Sequence, residues 1–517
     1  MNPREPGTVP PDDEHNRTLV RNVHPSDWVN PEPDGRYNLV VVGAGTAGLI
    51  TAVIAAAVGA KVALVEKHLM GGDCLNVGCV PSKGMLRAAR AWADVRRAGS
   101  CGAQVPPGVT YDFAAVMARM RKLRARISRN DSAERYRSLG VDVYIGAARF
   151  TGPETVAVEG QAGDRTLRFV KAAICTGARA ATPSVPGLQE VGYLTNETVF
   201  SLTELPRRLG VIGAGPIGCE LAQAFARFGS SVHLIEAQHG ILPKEDRDAA
   251  SLVQASLVRD GVTLLCCGKD LKGEKTAEGK RLTGESHGRR HDVTVDEILV
   301  GVGRTPNVEG LNLEGVGVEY DKDGVIVNDR LQTTNPRIYA AGDVCSQHKF
   351  THAADATAQI VIQNALFPHP FGLGYASASS LVMPWCTFTE PEVAHVGLYE
   401  AEAMAEGMEV ESFTFKLDEV DRAILDGEEE GFARVHVKKG TDRILGATIV
   451  ASHAGDLINE FSVTMKAGKG LGTICGTIHP YPTQAEGVKK VANAWRKTTF
   501  TQGKKDVLRK LFAWMRR

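Results

Sequence analysis

The chain has no excess charge of either sign: 60 Lys and Arg stand against 60 Asp and Glu among 517 residues, which argues against nucleic acid as a main partner. It has no apolar run long enough to span a bilayer. Residues 1–36 are rich in proline and charge and contain no apolar signal core, so they read as a flexible N-terminal arm and not as an export signal. The ten cysteines are scattered without the framework of a secreted domain. That usage fits the reducing cytoplasm, where a single disulfide would be catalytic. What remains is a large soluble chain with length for roughly three or four domain-sized units.

Two glycine-rich segments stand out. The apolar run Leu39-Val40-Val41-Val42 leads into Gly43-Ala44-Gly45-Thr46-Ala47-Gly48, an alanine-rich helical stretch ending near Gly59, and Val62-Ala63-Leu64-Val65-Glu66. This is the order of a dinucleotide-binding βαβ unit: the glycines admit a pyrophosphate to the helix N-terminus, and Glu66 accepts hydrogen bonds from an adenosine ribose. The segment from Leu209 through Gly213, Gly215 and Gly218 repeats it, with Gly229 and Glu236 at the same offsets from the first glycine. Two such units imply two nucleotides, one tightly held and one exchanging. Glu236 would bond a 2′-hydroxyl and repel a 2′-phosphate, and no arginine stands beside it, so NADH is favoured over NADPH.

Between the fingerprints lies Gly71-Gly72-Asp73-Cys74-Leu75-Asn76-Val77-Gly78-Cys79-Val80-Pro81-Ser82-Lys83. The spacing of Cys74 and Cys79 allows a small, closable ring. A dithiol that is repeatedly oxidised needs one accessible attacking thiolate and a second sulfur beside the electron donor. Gly71, Gly72 and Gly78 let backbone approach a flat cofactor. Met85, Leu86, Ala89 and Trp92 recur at helical spacing, which predicts a helix beginning near Pro81. Its N-terminus and Lys83 would both favour thiolate. The three features together read as a flavin-coupled dithiol.

With these motifs in this order, the chain resembles the class I pyridine nucleotide-disulfide oxidoreductases from roughly Tyr37 to Thr499. The resemblance extends to Ile174-Cys175-Thr176-Gly177, to Val300-Gly301-Val302-Gly303-Arg304-Thr305-Pro306-Asn307, and to Tyr339-Ala340-Ala341-Gly342-Asp343. It implies FAD and NAD(P)H as cofactors, with Asp343 on the ribityl chain and Gly72, Lys67, Lys83, Thr176, Gly177, Gly303, Arg304 and Ala353 among the cofactor-binding residues. It implies that Cys79 faces the flavin, that Cys74 is the interchange thiol, that Lys83 lies near the flavin N5 and that Glu220 pairs with that lysine. His352 is a candidate both for the substrate channel and for packing on FAD.

The segment Ile478-His479-Pro480-Tyr481-Pro482-Thr483-Gln484-Ala485-Glu486-Gly487 falls where this family keeps its acid–base residues. Thiol reductases of the family carry His-Pro-Thr with Glu three residues after the threonine, which aligns Tyr481 with the catalytic histidine and leaves His479 two residues earlier. Tyrosine, with a reference pKa of about 10, is a poor base but a usable donor or ligand. Mercuric reductases carry Pro-Tyr-x-Thr-x-x-Glu-Gly there, which this chain resembles. In that branch Cys74 and Cys79 would take a soft metal ion transiently as a bis-thiolate, with no structural metal required. The vicinal cysteine pair near the mercuric reductase C-terminus and an amino-terminal C-x-x-C module are absent from the sequence. Cys266-Cys267, after Val262-Thr263-Leu264-Leu265, is expected to be buried at the end of a strand. The expected acceptor is thus a soft metal ion or a disulfide. The alternatives are a dihydrolipoamide-type dehydrogenase with His479 as base and a membrane-associated flavoprotein redox sensor.

The expected fold is α/β, with two Rossmann-like nucleotide-binding domains and an α+β C-terminal dimerisation domain. The segments are the arm 1–36, FAD-binding parts 37–196 and 321–375, an inserted NAD(P)H-binding domain 197–320, an interface domain 376–500 and a tail 501–517. Homodimerisation follows from the resemblance, with Tyr481 and Glu486 presented to the other subunit's disulfide. The polar stretch Lys269 to His291 reads as a surface hairpin or loop. In the tail, Val507, Leu508, Leu511, Phe512 and Met515 share one helical face among basic residues. Such a helix docks on its own protein, on a partner, or on the inner face of an anionic membrane.

Overall fold

In a computed structural model of the chain, residues 7–160 and 163–517 are described. The chain divides into two compact units, Met1–Ala214 with Ala224–Ala237 and Thr263–Leu381, and Gly215–Gln223 with Gln238–Val262 and Val382–Arg517.

The first unit begins with a helix, α1 (Glu14–Val23), where a flexible arm is expected. Asp13 caps it by accepting from the Asn16 N–H at 2.8 Å, and Leu19 and Val23, one turn apart, are buried. Two well-placed apolar residues and a cap outweigh the polar composition around them; residues 1–6 of the arm lie outside the described residues. There follow β1 (Arg36–Val42), α2 (Thr46–Ala57), β2 (Val62–Glu66), α3 (Gly72–Asn76), α4 (Cys79–Arg97), α5 (Phe113–Ile127), α6 (Ala133–Ser138), β3 (Val141–Ile145), β4 (Ala147–Gly152), β5 (Thr155–Glu159) and β6 (Arg165–Ile174).

These strands pair in the order β3-β2-β1-β6-β5-β4, parallel from β3 to β6, with β4 and β5 antiparallel. Alternation along β1 feeds two cores: Leu39 and Val41 pack on one face with Leu49 and Ala52 of α2, while Val40 and Val42 pack on the other with Phe150 and Val156. A strand buried on both faces reads as a continuous apolar run, which is why Leu39 to Val42 carries no polar residue.

Next come β7 (Ala178–Ala180), the short helices α7 (Leu188–Val191) and α8 (Asn196–Val199), then β8 (Arg208–Ile212), α9 (Pro216–Arg227), β9 (Ser231–Ile235), α10 (Arg247–Arg259) and β10 (Val262–Leu265). The polar stretch after them forms β11 (Lys269–Thr276), β12 (Gly279–Ser286) and β13 (Arg289–Val295), a three-stranded antiparallel sheet, before β14 (Glu297–Val300). A second sheet orders β10-β9-β8-β14 and repeats the parallel βαβ pattern of the first. After β15 (Arg304–Pro306), paired with β7, and the small pair β16 (Tyr320–Asp321) and β17 (Gly324–Val325), the chain returns to the first sheet: β18 (Ile338–Ala340) lies parallel to β6 with Ile338 opposite Ala172. The second βαβ sheet is therefore inserted within the first. Helix α11 (Thr351–Leu366) adds Ile360 and Val361 to the core beneath α2.

The second unit is built on an antiparallel sheet. Strands β19 (Pro384–Thr387) and β20 (Glu392–Gly397), helix α12 (Glu400–Ala405), β21 (Val410–Lys416), α13 (Asp421–Asp426), β22 (Phe432–Lys438) and β23 (Ile444–Ala451) precede α14 (Ala454–Lys466), α15 (Leu471–Gly476), α16 (Glu486–Thr498) and α17 (Gln502–Met515). The sheet order is β19-β20-β23-β22-β21. Ala433, Val435 and Val437 of β22, two apart, face Ile458 and Phe461 of α14 and Val488 and Val491 of α16. Helix α17 has no buried residue. Among the described residues no helix is long and apolar enough to cross a membrane.

Candidate functional site

The two fingerprints form matching cradles. At the end of β1, Gly43 has φ +101° and a Cβ there would stand 2.4 Å from the Cys175 carbonyl oxygen; a Cβ on Gly48 would stand 1.8 Å from the Gly43 oxygen. At the end of β8, Gly213 has φ +100° and its Cβ would meet the Gly301 oxygen at 2.6 Å. Both turns therefore require glycine. The Ala44 N–H donates to Glu66 Oε2 at 2.7 Å, and the Ala214 N–H donates to Glu236 Oε2 at 2.7 Å. Each acid is thus fixed beside its own glycine turn, where a ribose would lie. Helix α2 starts behind Gly45 without a side-chain cap, which leaves its first N–H groups for a phosphate. Gly215 immediately precedes α9 and Gly218 lies in its first turn, while Lys67 beside Glu66 is exposed. The residues present fit a dinucleotide at each turn.

The cysteine loop is bound to the first cradle. The Gly71 N–H donates to the Ala44 carbonyl at 2.8 Å, and a Cβ on Gly72 would stand 2.7 Å from the Gly45 Cα. Cys74 lies within α3, and α4 starts at Cys79, two residues before the start expected near Pro81. Gly78 makes the tight junction, since a Cβ on it would stand 2.7 Å from the Asp73 oxygen. Cys79 consequently opens α4, where the helix N-terminus favours a thiolate, and Lys83 follows one turn later. Both cysteines are thiols, Cys74 half-buried and Cys79 exposed. The hydrogen bond with Cys79, followed by burial, pushes the Cys74 thiol far above the usual range. Helix α1 supports this loop through the buried Arg124, which donates to Asn16 Oδ1 at 2.7 Å and to the Asn76 carbonyl at 2.6 Å.

Three residues here were not anticipated from the sequence. Thr351, the first residue of α11, has its Oγ1 3.4 Å from Cys79 Sγ. Asp131, whose Oδ2 would stand 3.0 Å from a Cβ on Gly71, is pushed up to about 6 by burial, and its charge raises the Cys74 thiol. Asp73, within the cysteine loop itself, forms an ion pair with Arg304. Arg304 Nε also lies 3.3 Å from Asp343 Oδ2, and burial raises Asp343 despite that cation. Only Asp73 had a visible signal, its place beside Cys74; nothing in the spacing marks the other two. Around this cluster Thr176 Oγ1 donates to the Asn307 carbonyl at 2.7 Å, the Asn307 N–H donates to the Gly177 carbonyl at 3.0 Å, and Gly303 has φ +119°. Ala353 is fully buried in α11; His352 is exposed and stacks on Phe350 with ring centroids 5.3 Å apart.

In the second unit, the buried Glu220 of α9 accepts from the Phe388 N–H at 2.9 Å. His479 and Tyr481 are drawn to different partners. His479 Nε2 lies 2.7 Å from Glu460 Oε1, with the imidazole only 7% exposed. Tyr481 is 70% exposed and donates to Asp421 Oδ2 at 2.7 Å, a bond that raises its hydroxyl above the ordinary tyrosine value. Glu486 opens α16 with Oε1 3.4 Å from Lys490 Nζ, while its Oε2 is buried without a hydrogen-bond partner among the described residues.

Comparison with known proteins agrees with this geometry. Residues 37–359 match the model of the pyridine nucleotide-disulphide oxidoreductases, and residues 383–492 match that of the dimerisation domain of the same family. Mercuric reductase of Staphylococcus aureus is 35% identical over 460 residues, which cover 89% of this chain and 82% of that protein. Dihydrolipoyl dehydrogenase of Bacillus subtilis (strain 168) is 31% identical over 473 residues, covering 89% and 98%. The solved Cu(II) complex of the HOCl-induced flavoprotein disulfide reductase RclA from Escherichia coli superposes with a TM-score of 0.77 at 27% identity, over 89% of this chain and 100% of that one. Paired glycine cradles, a dithiol joined to the first of them and two family models in tandem lead to one conclusion: the chain belongs to the class I pyridine nucleotide-disulfide oxidoreductase family.

Proposed function

We propose that the chain is a homodimeric, FAD-dependent oxidoreductase that takes electrons from NADH and delivers them through Cys79 and Cys74 to a soft metal ion. The observation that carries this reading is the bond from the Gly71 N–H to the Ala44 carbonyl, which joins the dithiol loop to the first nucleotide turn. Bound at that turn, FAD supplies a two-electron carrier between the nicotinamide and the sulfurs. When the Cys74–Cys79 disulfide accepts an electron pair, the S–S bond breaks and two sulfurs remain to be protonated or to ligate an ion. Lys83 and the start of α4 favour the charged form of Cys79, and Cys74 holds its proton until an acceptor displaces it. A divalent ion held by both sulfurs would take a second electron pair, supplied by NADH by way of the flavin, and leave as metal with both sulfurs still reduced, so no departing thiol requires a base. Tyr481, an exposed hydroxyl bonded to Asp421, suits that chemistry as a donor or ligand.

NADH is the preferred nicotinamide in this reading, because a Glu236 carboxylate held by the Ala214 N–H beside the second glycine turn would accept from a 2′-hydroxyl and repel a 2′-phosphate. The segments 37–196 and 321–375 hold FAD, 197–320 holds NADH, and 376–500 forms the dimer. The enzyme works in the cytoplasm, and α17, with Val507, Phe512, Trp514 and Met515 exposed beside its basic residues, touches the inner membrane face. Flotation of the purified protein with anionic but not neutral vesicles tests that contact; equal behaviour with both removes it.

A second reading, dihydrolipoamide-type chemistry, is favoured by the His479–Glu460 pair, since an imidazole oriented by a carboxylate is suited to proton transfer. Anaerobic titration with NADH, followed by mixing with Hg(II), lipoamide, glutathione disulfide or quinones while flavin absorbance is recorded, separates the readings. Fastest reoxidation by Hg(II) supports the first and fastest reoxidation by lipoamide the second. Reoxidation by none faster than by oxygen identifies a redox sensor.

A further inference from the structure

Cys266 and Cys267 were expected to be buried at the end of a strand, yet both are partly exposed, unlike the buried Cys175, Cys219 and Cys475. Strand β10 ends at Leu265, so the pair occupies the loop that follows. Adjacent residues of an extended chain point in opposite directions. Here Cys267 has φ +55°, in the left-handed region, and the alternation is broken. Facing this loop is the turn between β12 and β13, where His287 and Gly288 have φ +50° and +74°, the two positive angles of a tight hairpin turn. The Ser286 hydroxyl donates to the Cys266 carbonyl at 2.5 Å and pins the turn to the loop.

The result is a convergence of donors. Cys266 Sγ lies 3.1 Å from His287 Nε2, and the two sulfurs and an imidazole nitrogen all lie within 4.8 Å of one another. Donors bound to one tetrahedral or trigonal ion at about 2.0–2.3 Å stand roughly 3.5–4 Å apart, so side-chain rotation suffices to close the set. A Cys-Cys-His set prefers soft d10 cations to hard ones. The neighbours are also poorly suited to a mutual disulfide, since adjacent Cα atoms are about 3.8 Å apart, below the usual 4.4–6.8 Å of a bridge.

We propose that Cys266, Cys267 and His287 form a second thiophilic cation site, separate from the redox dithiol, that binds one soft d10 ion. Binding forms two metal–thiolate bonds and one metal–imidazole bond and releases the two thiol protons, with no change of oxidation state. None of its residues belongs to the electron path, so the site stands or falls apart from the proposed acceptor.

The test uses full-length, FAD-loaded protein carrying Cys74→Ser and Cys79→Ser, titrated anaerobically with Cu(I) against a chromophoric chelator. One equivalent is expected to bind with near-ultraviolet thiolate-to-metal absorption, to be lost when Cys266→Ser and Cys267→Ser are added, and to weaken about tenfold or more with His287→Gln alone. Unchanged stoichiometry and affinity without the two cysteines would overturn the site. If the multiple variant fails to retain flavin, alkylation mapped by mass spectrometry replaces it. Cu(I) is then expected to protect Cys266 and Cys267 in the parent protein, and equal alkylation with and without Cu(I) would overturn the proposal.

Discussion

The chain carries two cysteine pairs in settings that differ in almost every respect. Cys74 and Cys79 sit on two successive helices, joined by Gly78 and bonded through Gly71 to a nucleotide turn. Cys266 and Cys267 are neighbours in a loop, with an imidazole in place of a helix start and one residue in left-handed backbone. The first pair can close a ring and is flanked by groups that separate the two thiols, with the hydrogen bond to Cys79, then burial, and last Asp131 raising Cys74, and a helix N-terminus beside Cys79. The second pair is poor at closing a ring and has a third soft donor. In the roles proposed for the two pairs, spacing and neighbours, not the presence of two sulfurs, divide electron transfer from ion binding.

The largest expected difference between the pairs comes from Cys79→Ser. Acceptor reduction should fall on the order of 10³-fold or more, and anaerobic NADH should no longer generate the pair of titratable thiols attributed to Cys74 and Cys79. Retention of NADH-dependent thiols would remove the first pair from the electron path.

Asp131 sharpens the comparison because it acts on the first pair alone in this account. Its carboxyl, pushed up to about 6 from 3.8 by burial, binds protons more readily folded than unfolded, so stability is greatest below pH 4 as far as this group is concerned and declines as pH rises to 6. Asp131→Asn should therefore stabilise the protein at pH 7 by about 2 kcal/mol, flatten its denaturation profile between those values and speed alkylation of Cys74 by lowering its thiol pKa. An unchanged profile would place the carboxylate in water.

Tyr481→Phe should slow metal reduction by about tenfold while leaving reduction of the flavin by NADH intact. Equal loss in both half-reactions, followed by stopped flow, would argue against a substrate-side role. The smallest effect belongs to the second pair: Cys267→Gly relieves a left-handed backbone and should raise stability by about 0.5–1 kcal/mol, read as a higher Tm without added metal. A lower Tm would mean that Cys267 contributes packing that outweighs its backbone.

The nucleotide turns were legible because their demands are local. Gly43, Gly48 and Gly213 each face a carbonyl oxygen that leaves no space for a Cβ, and the acid that closes each unit recurs at a fixed offset along the chain. The nearness of the Cys74–Cys79 loop to the first turn was legible for the same reason, through Gly71 and Gly72. The flexible arm was misread because composition averages over residues, whereas α1 is held by a few contacts, including Arg124 to Asn16. Burial of Cys266-Cys267 was misread because an apolar strand before the pair says nothing about the loop after it.

By itself the sequence determined the two glycine turns and the spacing of the cysteine pair between them, through steric and periodic rules over short spans, while the insertion of one βαβ sheet in the other and the departure at Tyr481 came from motif order and the family resemblance. Only the tertiary structure decided what each reactive group meets. It set Thr351 against Cys79 across 272 positions, Asp131 beside the Cys74 loop, His479 on Glu460 and Tyr481 on Asp421. It also brought the His287 turn to Cys266. Such contacts depend on how separate elements pack, and no spacing along the chain records them.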